Sequence, residues 1–176
     1  GSSVLVAKHQ AALDIRARCV AVPLPIRYLA KKELFRVPLL AQGMRAVGIV
    51  EVDRSARSAM HAEVNRKSKE LVEKGRSLII YPEGTRPRDG SLDPFKKGAF
   101  TMAIASQLPV LPVTIHGTYE AWRPGTLWIR GGPVTVVVDD PIPTEGMTGQ
   151  DSTRLTKMVY EVIAHRVGDL GGTIRL

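Results

Sequence analysis

His9 and Asp14 stand five positions apart, with Gln10, Ala11, Ala12 and Leu13 between them. An imidazole oriented by a carboxylate is a pair that general-base chemistry uses, because the ring changes protonation near neutral pH. On one continuous helix that spacing would leave the two side chains about 140° apart. They converge instead if His9 lies in the turn leaving a strand and Asp14 in the first turn of the helix that follows. A second group suits an anion. Glu83, Gly84, Thr85 and Arg86 supply an acceptor, a backbone open to close approach, a hydroxyl and a forked cation. Arg86 and Arg54 could hold a phosphate bidentately, with backbone N–H groups near Gly84 completing the cradle. Taken as four isolated residues, the stretch is explained equally well by turn chemistry at Pro82, Gly84 and Asp89–Gly90 with solvated charges.

The remaining candidates read as structural. His61 and His165 fall on charged helical stretches and are expected at the surface. His116 ends a strand beside Gly117, where a satisfied structural histidine is favoured over a pocket-lining one. Cys19 is the single cysteine, so no internal disulfide can form, and it reads as a small buried apolar residue. No spacing of His, Cys, Asp and Glu suits a metal, and none is expected.

The elements that must position these groups follow from apolar periodicity and breakers. A strand is expected at 4–7, a turn carrying His9, and a helix from about 11 to 18. Residues 20–30 contain two prolines and read as an irregular link into a short strand. Pro38 and Gly43 divide the next stretch into two short helical pieces. Residues 48–54 alternate as a half-buried strand does, and 55–74 form a charged amphipathic helix closed by Gly75. A strand at 77–81 leads into a Pro- and Gly-rich loop, a helix at about 98–107 and a strand at 110–115. Residues 126–138 read as a hairpin around Gly131 and Gly132, and 151–167 as the last helix. Alternating strands and helices imply an α/β class: a single-domain α/β sandwich over 1–176, around a mixed, largely parallel central sheet with helices packed on it. The polar clusters at 8–14, 53–54 and 82–88 each follow a strand, and loops at the carboxyl ends of strands are where α/β sites assemble.

Composition agrees with a globular chain: of 176 residues, 44% are hydrophobic and 24% charged. The net charge of +8 is uneven. Residues 1–100 carry 19 Lys or Arg against 10 Asp or Glu, and residues 101–176 carry 6 against 7. Such a field attracts an anionic membrane surface, a phosphorylated substrate or nucleic acid. Nucleic acid is disfavoured, since aromatics are 5% of the chain and are not interleaved with basic residues. The longest stretch free of Asp, Glu, Lys and Arg, 98–119, is interrupted by Gln107, Pro109 and Pro112, so no membrane-spanning helix is expected. Gly1–Ser3 read as a cloning remnant abutting a strand.

Four blocks in order, "KHQAALD", "KKELFRVPLLAQGMRAVGIVEVDR", "YPEGTRPRDGSLDPFKKGAF" and "LPVLPVTI", resemble the motif blocks of the glycerophospholipid acyltransferase family. The resemblance covers residues 4–143 and is nearest to the branch that acylates 1-acylglycerol 3-phosphate. The chain departs from that pattern in four places: Lys8 and Ala11 replace the usual Asn and Ser around the histidine, Ala41 a frequent Gly, and Pro87 a common Ser. These departures bear on substrate preference, and the missing serine is not needed as a nucleophile.

The resemblance implies that His9 is the general base, oriented by Asp14, in moving a fatty acyl group from acyl-CoA or acyl-carrier protein to the sn-2 hydroxyl of lysophosphatidate. It assigns Lys31, Arg54 and Arg86 to the substrate phosphate, with Lys32 an equal alternative to Lys31, and gives Glu83, Gly84 and Thr85 the shaping of that pocket. No cofactor is implied beyond the acyl donor. The partners implied are a lysophospholipid acceptor, the donor and an anionic membrane surface, with the protein membrane-associated on the cytoplasmic face. An upstream hydrophobic helical segment, typical of the family, is expected to be missing. The patch Leu34, Phe35, Val37, Leu39, Leu40 and Met44, flanked by basic residues, reads as core slightly ahead of a membrane-resting face. Competing readings are an acyltransferase for another lysolipid and a non-catalytic module binding phosphate or anionic lipid.

Overall fold

In the computed structural model, residues 2–8, 26–31, 42, 50–52, 66, 70, 73–84, 89, 91–121 and 130–175 are described. Among the described residues six strands form one sheet: β1 (Val4–Ala7), β2 (Ile26–Lys31), β3 (Val50–Val52), β4 (Ser77–Ile80), β5 (Val110–His116) and β6 (Thr135–Val138). Their spatial order is β3-β2-β4-β1-β5-β6. The first five run parallel, and β6 joins β5 antiparallel, so the sheet is mixed and largely parallel as expected. Three described helices accompany it: α1 (Gly98–Ala105), the single turn α2 (Thr118–Ala121) and α3 (Ser152–Asp169).

β1 shows why its sequence reads as an unbroken apolar run. Both its faces are covered, and all four residues are fully buried. Val4 and Val6 join Leu78 and Val110 against α1 and α3, whereas Leu5 and Ala7 join Ile79, Leu111, Val113 and Ile115 on the opposite face. From α3, Leu155, Val159, Ile163 and Val167 reach the core at four-residue intervals, none more than 2% exposed. Thr148 and Asp151 cap its entry reciprocally through a short 3-10 turn. Gly171, at φ +77, lets the chain turn away after Leu170.

Pro112 lies inside β5, a position from which proline is usually excluded. Its carbonyl accepts the Asp139 N–H (3.1 Å) just past Val113↔Val138, where the antiparallel register ends. The donor that proline lacks therefore falls beyond the last paired rung. β6 falls in the second arm of the expected 126–138 hairpin and pairs with β5, while residues 126–129 of the first arm lie outside the described residues. Of the first arm only Arg130 is described; it is not in a strand and donates its N–H to the Ala121 carbonyl (2.9 Å). The helices expected at 11–18 and 31–48, apart from Lys31 and Gln42, together with Cys19, His61 and the apolar patch at 34–44, lie outside the described residues; Lys31 closes β2 and does not open a helix. Among the described residues no helix is long and apolar enough to cross a membrane.

Candidate functional site

Because β1 to β4 are parallel, their carboxyl ends share one edge of the sheet. β1 and β4 are direct neighbours at its centre, with Val6 opposite Ile80. The chain leaves β1 through Ala7 and the fully buried Lys8, the residue before His9. It leaves β4 through Tyr81 and Pro82 into Glu83 and Gly84. β2, on the other side of β4, ends on Lys31, and β3 beyond it ends at Val52, two positions before Arg54. Spacings of ~4.8 Å between adjacent strands put the ends of β1 and β3 roughly 15 Å apart. The exits leading to every predicted site residue therefore lie on one edge, with those leading to His9 and Glu83 closest. His9, Asp14, Arg54, Thr85 and Arg86, and Lys32 as the alternative cation, lie outside the described residues. For Lys31 the backbone alone is described.

The loop after β4 is built more firmly than a Pro- and Gly-rich sequence suggests. Gly84 turns at φ +79, a left-handed conformation in which a Cβ would be strained, and its N–H donates to the Tyr81 carbonyl (3.2 Å). Glu83, 3% exposed, turns its carboxylate inward, where Oε2 accepts the Asp93 N–H (2.9 Å). Lys96 donates its backbone N–H to the Pro82 carbonyl (2.9 Å). The motif glutamate thus fastens its loop to residues 93–96.

A third layer holds that arrangement in place. Leu92 pairs with the C-terminal segment: its N–H donates to the Thr173 carbonyl (2.8 Å) and its carbonyl accepts the Arg175 N–H (2.9 Å). The Arg175 guanidinium reaches Asp89 (2.7 Å) and Asp93 (3.3 Å). Hydrogen bonds from the Ser91 hydroxyl and N–H lower the Asp89 carboxyl to about 2, and Arg175 adds to the shift. Asp89 is consequently an anion throughout the neutral range.

On the helical side, Phe95 meets Tyr160 edge-to-face (5.0 Å) and stacks near Phe100 (6.2 Å). Burial raises the Tyr160 phenol above its ordinary value, and the Glu83 and Asp93 carboxylates push it the same way. Phe95 and Tyr160 line a cavity of about 420 Å³ with Pro94, Thr156, Lys97 and Arg175 among its other walls. Of the other histidines, His116 ends β5 half-buried, and His165 lies exposed on α3, 3.4 Å from Asp169, as a surface residue should. Among the described residues no cluster of His, Cys, Asp and Glu could hold a metal.

The family model described as Acyltransferase matches residues 1–116, from β1 to the end of β5, taking in the loops after β1 and β4. The chain belongs to the acyltransferase family. Members similar to it include the 1-acyl-sn-glycerol-3-phosphate acyltransferase of Limnanthes douglasii, 36% identical over 160 residues, covering 91% of this chain and 57% of that protein. The human 1-acyl-sn-glycerol-3-phosphate acyltransferase beta is 32% identical over 160 residues, covering 91% and 58%. Among solved structures, the 1-acyl-sn-glycerophosphate acyltransferase PlsC of Thermotoga maritima superposes with a TM-score of 0.80 at 30% identity, covering 97% of this chain and 66% of that one. This family member therefore spans a little over half the length of those two relatives. β6 and α3 lie beyond the segment matched by the family model, yet α3 supplies much of the core behind β1.

Sequence reading located the exits but missed several residues that consolidate them. Lys8 is a basic residue closing an apolar run, and it is fully buried. The clasp of Arg175 on Asp89 and Asp93 joins residues more than eighty positions apart, which no local pattern announces. Lys96 and Lys97 do leave a trace. Cations immediately before a helix oppose its dipole, so their presence at the start of α1 calls for a reason other than helix stability.

Proposed function

We propose that this chain carries the acyl-transfer centre of a 1-acylglycerol-3-phosphate acyltransferase, moving a fatty acyl group from a thioester donor to the sn-2 hydroxyl of lysophosphatidate. The adjacency of β1 and β4 carries the reading. In the acceptor, the sn-2 oxygen and the phosphate are neighbours on one glycerol, a separation on the order of the ~4.8 Å between adjacent strands. A base delivered by the first strand and a phosphate cradle delivered by the second match that spacing. The names of the relatives support the same acceptor.

In this mechanism neutral His9 accepts the hydroxyl proton as the oxygen attacks the thioester carbonyl. Asp14 holds the ring in the required tautomer and stabilises the imidazolium that forms. The new C–O bond forms, the C–S bond breaks, and the proton passes on to the departing thiolate. No acyl-enzyme and no cofactor are needed. Arg86, Arg54 and Lys31 bind the acceptor phosphate around the turn shaped by Glu83, Gly84 and Thr85. Acyl-CoA and acyl-carrier protein are both suitable donors. The basic excess before residue 100 favours work at an anionic membrane surface on the cytoplasmic face, where the lipid substrates reside.

The test is a panel of lysolipids and acyl donors incubated with the protein, with products read by mass spectrometry. Phosphatidate from lysophosphatidate is the expected product. Transfer only to phosphate-free or choline-bearing acceptors would refute the assignment. Arg86→Ala should raise the acceptor KM about ten- to a hundred-fold, the loss of hydrogen bonds to a charged group, with a smaller effect on donor KM. An unchanged acceptor KM would remove Arg86 from the phosphate site.

A further inference from the structure

We infer that Lys96 is a further residue of the anion site, binding the phosphate monoester of the acceptor beside the turn at Gly84; the inference rests on the acceptor proposed above. The observation is the placement of its side chain across Gly84. A Cβ built on Gly84 would lie 2.6 Å from Lys96 Nζ, 3.1 Å from Cε and 3.3 Å from Cδ. The ammonium therefore occupies the space that a side chain at position 84 would fill, on the turn that leads into Thr85 and Arg86.

This placement is fixed at its base. The Lys96 N–H bond to the Pro82 carbonyl and the Glu83 bond to the Asp93 N–H join the two segments on either side of the lysine. Its stem therefore starts from a point held against the motif loop. The next residue diverges: Lys97 lines the cavity beside Phe95 and Tyr160. Two consecutive lysines thus serve two different surfaces.

Charge completes the case. Among the described residues, no carboxylate lies within ion-pair distance of the Lys96 ammonium, although several acidic groups are close in the chain. Asp89 and Asp93 are both engaged by Arg175, and the Glu83 carboxylate is buried on the Asp93 N–H. The lysine is exposed, so its charge is available to a ligand. A phosphate monoester is the matching chemistry, because a dianion can take a point cation from Lys96 together with the fork of a neighbouring arginine. Glycine at 84 then has two functions, accepting the positive φ and leaving room for the ammonium.

Both the acceptor phosphate and the 3′-phosphate of CoA are monoesters, and separate kinetic arms distinguish them. Wild type, Lys96→Met and Lys96→Arg are compared, varying lysophosphatidate at saturating acyl-CoA and then acyl-CoA at saturating lysophosphatidate. In Lys96→Met the acceptor KM should rise about tenfold, the loss of one charge-assisted contact. Donor KM and kcat should stay within about twofold, and Lys96→Arg should recover most of the loss. An unchanged acceptor KM, or a rise confined to the donor KM, would overturn the assignment. A rise that Lys96→Arg leaves uncorrected would also overturn it, since it would mark a packing role. Calorimetric titration with a short-chain lysophosphatidate separates this inference from the reaction itself. If wild type binds it tenfold more tightly than Lys96→Met yet transfers no acyl group, the phosphate contact stands and the functional proposal falls. If wild type transfers and both variants bind equally well, the contact alone is lost.

Discussion

Replacing His9 with Ala is expected to lower kcat/KM for acyl transfer by about 10² to 10⁴, the usual contribution of a positioned general base. Lysophosphatidate binding should change by less than about twofold, because the cationic groups assigned to the phosphate come from other strand exits. The variant should also lose a pH dependence. Only the neutral ring accepts a proton, so the wild-type rate should rise with pH as the imidazole loses its charge. His9→Ala should show a flat, low rate over the same range. Steady-state kinetics with a thioester donor between pH 5 and 8 read both effects at once. A variant with wild-type kcat would exclude the imidazole from the reaction and remove the general-base assignment of His9.

The expected loss depends on an arrangement that the sequence reveals unevenly. Strand β1 was legible because burial on both faces demands four apolar residues in succession, and "VLVA" has no other economical reading. Helix α3 was legible for the complementary reason, its apolar residues recurring along one face. Both are local patterns. The pairing of β6 with β5 was not legible, since Gly131–Gly132 signals only a local turn, whereas that pairing is decided by a sheet assembled from distant segments. The same limit applies around the motif loop. "PEGTR" reads as turn or anion cradle, but the carboxylate of Glu83 on the Asp93 N–H, the lysine over Gly84 and the Arg175 clasp exist only once the chain has folded back. The candidate site was therefore readable as a set of residue types at strand exits, with its fastening unreadable.

The largest stability effect is expected from a residue with no place in the chemistry. Phe100, in the first turn of α1, is fully buried in the cluster that joins Val4 and Val6 of β1 to Leu78 of β4 and to the inner face of α3. It also stands beside Phe95, whose ring links it to Tyr160. Truncation to Ala removes the ring from between sheet and helices, and the surrounding side chains can close only part of the space. Such changes cost about 3–5 kcal/mol, a large part of the ~5–15 kcal/mol that holds a domain folded. For a chain of this length that corresponds to a fall in Tm of roughly 6–20 °C. Urea denaturation should show a lower midpoint with an unchanged slope, because the same surface is exposed on unfolding. At temperatures where the variant remains folded, both KM values should match wild type, since Phe100 backs the strands and touches no proposed substrate group. A loss below about 1 kcal/mol would mean that the ring is not packed between β1, β4 and α3. A selective rise in acceptor KM would mean that α1 transmits its packing to the turn at Gly84, through the same backbone bond that seats Lys96.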